Sequence, residues 1–107
     1  MADKLQWLYQ FTPGAARPDL ATNPDAWTER DEEIGAAHYE RLRLAADDGT
    51  VILAGRSQDG IGPAVVIFEA DSEEEARRFM EEDPFVSEGL FGANLHPFRA
   101  ALVRKTE

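Results

Sequence analysis

Two side chains of this 107-residue chain, His38 and Asp83, are candidates for acid–base chemistry. The chain has no cysteine and only two histidines, so few of its groups titrate near neutral pH. An imidazole that a carboxylate orients through one nitrogen can take a proton from carbon or oxygen with the other. We therefore expect His38 to be the catalytic base and Asp83 its partner. Glu81 and Glu82 are alternative partners, and sequence spacing does not prove that any of them meets His38.

Both candidates also have a structural explanation. A single histidine on the apolar side of a helix is more often a packed residue than a catalytic one. An aspartate before a proline commonly ends a helix and caps the next turn, which describes Asp83-Pro84. The second histidine, His96, precedes a proline and is expected to be structural or to lie at a subunit surface.

Other kinds of site have little support in the residue types. Without cysteine there is no disulfide, no thiolate nucleophile and no cysteine-based metal site. The two histidines and the carboxylates lack a metal-binding spacing such as His-Glu-x-x-His, so we expect neither a metal nor a cofactor. The glycines Gly55, Gly60 and Gly62 lack the strand–turn–helix context of a phosphate loop, and no serine lies in a nucleophile elbow.

The charge and the apolar pattern restrict the partners. The net charge is −10, which disfavours binding to nucleic acid or to an anionic membrane surface. No apolar run approaches the roughly 18 residues of a transmembrane helix, and residues 1–5 do not resemble a signal peptide. We therefore expect a cytoplasmic protein whose ligand is a small molecule of unknown identity.

The strands are predicted from alternation and from β-branched residues. Leu5 to Phe11 alternates with apolar residues on one face, which indicates a half-buried strand. Short apolar segments predict a second strand at Thr50–Gly55 and a third at Ala64–Ala70. The last strand is predicted at Leu95–Val103, and Pro97 within it favours an edge position.

The helices are predicted from their capping residues. The first begins either at Asn23-Pro24, with proline at the first helical position, or at Thr28, and it ends at Gly49. Ser72 opens a capping box that starts the second helix, which should stop near Asp83 because of the following proline. Residues 86–89 are predicted to form a turn or a short helix.

The resulting order is β-α-β-β-α-β, the ferredoxin-like pattern of an α+β fold. We predict one domain over residues 1–107, with two helices on one face of a four-stranded antiparallel sheet. The other face needs a cover, and a second subunit would supply it in a homodimer with the form of a dimeric α/β barrel. Apolar area for this contact is expected from Trp7, Tyr9, Phe68 and Phe98.

Several runs of residues resemble the YciI-like (YCII-related) family over roughly residues 3 to 104. They are residues 38–42, Asp48-Gly49, residues 53–55, residues 70–76, residues 83–85, residues 89–91 and residues 96–98. The resemblance implies a dimeric ferredoxin-like fold and a cleft with a His–Asp pair, here His38 and Asp83, proposed as an active site. A relative acts as a dehydrochlorinase on a chlorinated hydroxyquinol, so the resemblance also implies acid–base or lyase-type chemistry.

One departure from the family pattern concerns Arg56. Family members usually have Gly-Pro after the second strand, whereas this chain has Gly55-Arg56, so this arginine either lines the cleft and favours an anionic substrate or faces solvent. We predict a cofactor-independent enzyme acting on an aromatic or enolisable small molecule, with substrate-binding residues Arg56, Trp7 and Tyr9 beside the catalytic pair. The alternatives are a non-catalytic small-molecule-binding protein and, with less support, a haem-binding or quinone-oxidising barrel.

Overall fold

A four-stranded antiparallel sheet forms one layer of the protein, which a computed structural model describes for residues 5–105. Its strands are β1 (Leu5–Pro13), β2 (Val51–Arg56), β3 (Ala64–Ala70) and β4 (Phe91–Phe98), in the spatial order β2-β3-β1-β4. The helices are α1 (Glu29–Asp47), α2 (Glu73–Glu81) and the short α3 (Pro84–Ser87). The two ends of the predicted domain, residues 1–4 and 106–107, lie outside the described residues.

Both predicted starts of the first helix correspond to structure. Residues 24–26 form a single 3-10 turn, and α1 then begins after Thr28. The Thr28 hydroxyl accepts the backbone N–H of Asp31 at 3.1 Å, and the Asp31 carboxylate accepts the backbone N–H of Thr28 at 2.9 Å. This reciprocal capping box satisfies two donors that the first turn of a helix leaves unpaired. Gly49 follows the helix with a φ of +91°, a conformation that favours glycine.

The segment between the second and third helices places Asp83. Ser72 is the N-cap of α2 as predicted, its hydroxyl accepting the backbone N–H of Glu75, but within the described residues the reciprocal half of the predicted capping box is not formed. Asp83 has the extended conformation that the following Pro84 favours, and it is the N-cap of α3. The chain therefore turns sharply at Asp83, and the carboxylate points into the protein.

The helices cover the face of the sheet that carries the aromatic residues of β1. Trp7, Tyr9 and Phe68 belong to one buried cluster with residues of α1 and α2, namely Leu42, Ala45, Ala76 and Met80. The prediction that Trp7, Tyr9 and Phe68 lie on the uncovered face is therefore wrong. Phe98, which pairs with Gln6 across β1 and β4, does lie on that face and is 39% exposed. Alternation determines which residues share a face, but it does not determine which face the helices cover.

The last strand begins earlier and ends earlier than predicted. It covers Phe91–Phe98, whereas the prediction was residues 95–103. Because β1 continues to Pro13, it provides a partner for Phe91. The prediction that Pro97 lies in an edge strand is confirmed, since β4 is last in the strand order. Within residues 5–105, no helix has the length and apolar character needed to cross a bilayer.

Candidate active site

The structure brings His38 and Asp83 together. His38 lies in the middle of α1, and its Nδ1 is 2.8 Å from Oδ1 of Asp83, the residue that caps α3. Of the three carboxylates considered as partners, Asp83 makes this contact, whereas Glu81 and Glu82 are exposed at the end of α2. The turn at Asp83-Pro84 is what aims the carboxylate back towards α1.

Asp83 is fully buried, and each of its oxygens has hydrogen-bond donors. Its Oδ2 accepts the hydroxyl of Tyr9 at 2.7 Å, and its Oδ1 accepts the backbone N–H of Phe85 at 3.0 Å. A buried carboxylate needs such donors, because it has lost its water. An ionised Asp83 also accepts a hydrogen bond from Nδ1–H of His38, and this fixes the tautomer that has a lone pair on Nε2.

The imidazole of His38 lies between two aromatic rings. It stacks on Phe85, with 4.0 Å between ring centroids and 24° between ring planes, and it meets Phe11 edge-on at 5.6 Å. The side chain remains 17% exposed. Within the described residues Nε2 makes no hydrogen bond. One nitrogen is therefore held in place, and the other is available to a ligand.

Tyr9 is a hydrogen-bond donor in this site, and its side chain does not line a cleft. It was expected to bind substrate, and in the described chain it is completely buried. Burial raises the pKa of Tyr9 well above its ordinary value, the negative charge of Asp83 and the hydrogen bond to it raise it further, and Arg41 partly offsets the rise. Tyr9 therefore keeps its proton at neutral pH and donates a hydrogen bond to Asp83.

The other two residues expected to bind substrate lie at different ends of the sheet. Trp7 is buried, its indole N–H donates to the carbonyl of Ala70, and it borders a groove of about 760 Å³ together with Pro97 and Phe98. Phe11, which contacts His38, lies at the opposite end of β1. The structure therefore does not bring Trp7 to the His38–Asp83 pair.

Arg56 is the last residue of β2 and is exposed. It pairs with Ala64, two residues along β3 from the buried Val66, so alternation places it on the same side of the sheet as the helices. It also lies at the end of the sheet towards which Phe11 extends, since Val65 pairs with both Gly55 and Gln10. Arg56 thus shares a side and an end of the sheet with His38.

Two residues around the site, Phe85 beside the pair and Arg41 beside Phe79, were not predicted to have a role. Phe85 supplies both the stacked ring and a backbone N–H for Asp83. Arg41 lies over the ring of Phe79 at 4.2 Å and donates to its carbonyl at 2.8 Å. In the sequence, Arg41 could have been noticed as a charged residue among the apolar residues that recur at helical spacing in the first helix. In the described chain, no group of three or more His, Cys, Asp or Glu side chains is arranged to hold a metal ion.

The strand order and the paired His38 and Asp83 define a small α+β protein with a candidate acid–base site. The chain belongs to the YCII-related domain family, whose model matches residues 13–95. The predicted family is therefore confirmed.

A solved structure with the same fold is that of 5-chloro-2-hydroxyhydroquinone dehydrochlorinase (TftG) from Burkholderia phenoliruptrix AC1100, in complex with 2,5-dihydroxybenzoquinone. The two chains superimpose with a TM-score of 0.57 at 22% sequence identity, over 87% of this chain and 93% of that one. This neighbour fits the predicted ferredoxin-like fold. A comparison with curated protein sequences finds no match.

Proposed function

We propose that the protein is a small, cofactor-independent enzyme that uses His38 and Asp83 for acid–base catalysis on a small molecule. The observation that carries this proposal is the fully buried Asp83, which holds Nδ1 of His38 at 2.8 Å while Nε2 is left without a protein partner. A packed structural histidine would be expected to have both nitrogens satisfied, since buried polar atoms are nearly always hydrogen-bonded.

In the proposed reaction, Nε2 of His38 removes a proton from a hydroxyl or from an acidic carbon of the substrate. The resulting imidazolium is stabilised by the carboxylate of Asp83, which Tyr9 and the N–H of Phe85 hold in place. The electron pair that the proton leaves behind expels a leaving group, and the imidazolium returns its proton to that group or to water. General-base assistance of this kind typically contributes about 10²–10⁴-fold in rate.

The structural neighbour suggests the first reaction to assay, the loss of HCl from a chlorinated hydroquinone. Two features of this chain support a flat, acidic substrate. The rings of Phe11 and Phe85 flank the imidazole, and aromatic side chains pack well against a planar ring. Arg56, on the same side and at the same end of the sheet, would attract a phenolate.

The proposal is tested by assaying His38→Ala and His38→Gln with chlorinated hydroquinones. Chloride release and quinone absorbance report turnover, and thermal unfolding reports the fold. We expect both variants to lose at least about 100-fold in rate and to stay folded. His96→Ala changes an exposed histidine of β4 and is the matched control. A His38→Ala variant that keeps wild-type turnover would exclude this role, and so would one whose lost activity follows only from unfolding.

A second candidate function is non-catalytic binding of the same class of small molecule. The observation that favours it is the limited exposure of His38, since a side chain that is 17% exposed between two aromatic rings also suits a ligand-binding wall. Calorimetry with 2,5-dihydroxybenzoquinone, followed by chromatography of the recovered ligand, distinguishes the two functions. A binding protein returns its ligand unchanged and turns over none of the chlorinated substrates.

We further propose that two copies associate through their uncovered sheet faces to form a dimeric α/β barrel. The side chains on that face include Leu8, Leu53, Val65, Ile67 and Phe98, of which Leu53 is 52% exposed and Phe98 39% exposed. Water exposure of so much apolar area is unfavourable, and a second copy is the economical cover. The cytoplasmic location stays a prediction.

A further inference from the structure

Arg41 lies one helical turn after His38 on α1 and carries a partly buried positive charge. Its Nη2 donates to the carbonyl of Phe79 at 2.8 Å, and its guanidinium lies over the ring of the same residue. The other terminal nitrogen, Nη1, is buried and makes no hydrogen bond within residues 5–105. Burying an unpaired cationic N–H is costly. Such a group needs a compensating negative charge nearby.

The compensating negative charge is that of Asp83, and Tyr9 connects it to Arg41. The ring of Phe79, on which Arg41 lies, packs against the ring of Tyr9 with 6.2 Å between centroids. The hydroxyl of Tyr9 donates to Asp83 at 2.7 Å. Arg41 lowers the pKa of Tyr9, through its charge and through a side-chain contact, and so partly offsets the effect of burial. Arg41 is therefore connected to Asp83 and His38 through the hydroxyl of Tyr9.

The other charged groups around the pair are exposed or paired with each other. Glu40 on α1 pairs with Arg43, and Glu88 after α3 pairs with Arg30. The remaining acids are all exposed: Glu33 on α1, Glu81 on α2, and Glu82 after it. From the sheet, β1 contributes Tyr9, and β4 contributes the apolar Phe91 and Ala93 on this side. Within the described residues, Arg41 is thus a cation that is linked to Asp83 through the hydroxyl of Tyr9.

We propose that Arg41 is a positioning residue that keeps Asp83 ionised when His38 gives up its proton. This inference rests on the proposed function, in which His38 must be a neutral base before it meets the substrate. When the imidazole is neutral, the buried carboxylate has lost its nearest cation. The guanidinium supplies the remaining positive charge, so the proton stays on Nδ1 and is not transferred to Asp83. Nε2 then keeps its lone pair.

The first test follows the ¹³C resonance of the Asp83 carboxyl and the ¹⁵N resonances of the His38 ring in one pH titration of the wild-type protein. We expect Asp83 to keep the shift of a carboxylate throughout the titration of His38, and the neutral ring to be protonated on Nδ1. A carboxyl that takes up the shift of its protonated form as His38 becomes neutral would overturn the inference. No substrate is needed, so the result does not depend on whether turnover is found.

The second test changes the charge. In Arg41→Gln and Arg41→Met we expect the midpoint of the His38 titration to move to higher pH, because a positive charge one helical turn away disfavours the imidazolium. Arg41→Lys should restore most of the shift, and Arg43→Gln, an exposed arginine on the same helix, should leave the midpoint in place. A folded Arg41→Gln protein with an unmoved midpoint contradicts the proposal. If both neutral variants fail to fold, a protonated Asp83 in the wild-type protein still overturns the proposal.

Discussion

Tyr9 links the stability of the core to the candidate active site. Its ring packs in the main cluster against Phe68 and Phe79, while its hydroxyl donates to Asp83. When a buried carboxylate loses one of its hydrogen-bond donors, the fold is destabilised by the full desolvation cost of the unsatisfied oxygen. The same contact therefore serves the fold and keeps the acceptor of His38 in position.

Replacement of Tyr9 by phenylalanine tests this double role. We expect Tyr9→Phe to lower the free energy of unfolding at pH 7 by about 1–3 kcal/mol, since Asp83 loses a buried hydrogen bond. The pKa of Tyr9 is raised in the folded state, so its contribution to stability is complete below the ordinary tyrosine pKa of about 10 and is lost as the pH rises further. Urea unfolding between pH 7 and 11 measures both effects.

The alkaline loss of stability should be weaker in Tyr9→Phe than in the wild-type protein. Tyr39→Phe, which changes an exposed tyrosine of α1, is the control and should keep the wild-type dependence on pH. Equal alkaline losses in the wild type and in Tyr9→Phe would show that this hydroxyl is not held in its protonated form by the fold.

Residue types predicted the pair but not its surroundings. His38 and Asp83 were identifiable because so few groups of this chain titrate near neutrality and because the family resemblance singles them out. Trp7 was assigned to the same cleft as Tyr9, but the two residues are directed at different parts of the core. Sequence alternation places side chains on a face and says nothing about which end of that face a site occupies.

The first turn of α1 is an element whose stability depends on one buried carboxylate. Asp31 completes the capping box with Thr28 and also forms an ion pair with Arg17, with 2.6 Å between nitrogen and oxygen. The guanidinium of Arg17 in turn donates a hydrogen bond to the carbonyl of Ala26. These contacts attach the long segment between β1 and α1 to the helix that carries His38. The hydrogen bond from Arg17, followed by that from the N–H of Thr28, holds the pKa of Asp31 well below its ordinary value.

Asp31 should therefore make the protein sensitive to acid. Because its pKa is lowered by folding, its stabilising contribution is present above the ordinary aspartate pKa of about 3.9 and is lost as the pH falls below that value. We expect Asp31→Asn to be less stable than the wild type at pH 7 and to show a smaller further loss on acidification. Circular dichroism during urea unfolding at pH 7 and at pH 3 measures the difference.

Glu32→Gln is the control, since Glu32 is an exposed acid in the same helical turn. It should keep the wild-type loss of stability in acid. If Asp31→Asn and the wild type lose equal stability between the two pH values, the carboxylate of Asp31 is not the acid-sensitive group.

The boundaries of the elements show where sequence prediction was strong. Thr28 and Ser72 predicted the starts of the two long helices, because a capping side chain acts within three residues of itself. The limits of β4 were predicted poorly, because a strand extends as far as its partner does and the partner here, β1, lies at the other end of the chain. Local interactions can be read from a sequence, whereas strand register depends on distant residues.

At the scale of the whole molecule, the two faces of the sheet are unequal. The helix side buries Tyr9, Val66 and Phe68 almost completely, whereas Leu8 and Ile67 on the other side are only half-buried. Alternating residues of β1 and β3 on that side include Gln6, Gln10 and Glu69, so the face combines an apolar centre with polar edges. This composition is typical of an interface between subunits.

We expect light scattering at micromolar concentration to give twice the 11.9 kDa mass of one chain. Ile67→Lys places a charge at the centre of the uncovered face and should shift the protein to monomers, because a contact of about 800 Å² per subunit does not tolerate an unpaired buried charge. Leu44→Lys replaces an apolar residue of α1 that is 53% exposed and should leave the mass unchanged. A wild-type monomer would rule out the barrel dimer, and a dimer that survives Ile67→Lys but not Leu44→Lys would place the contact on the helices instead of the sheet.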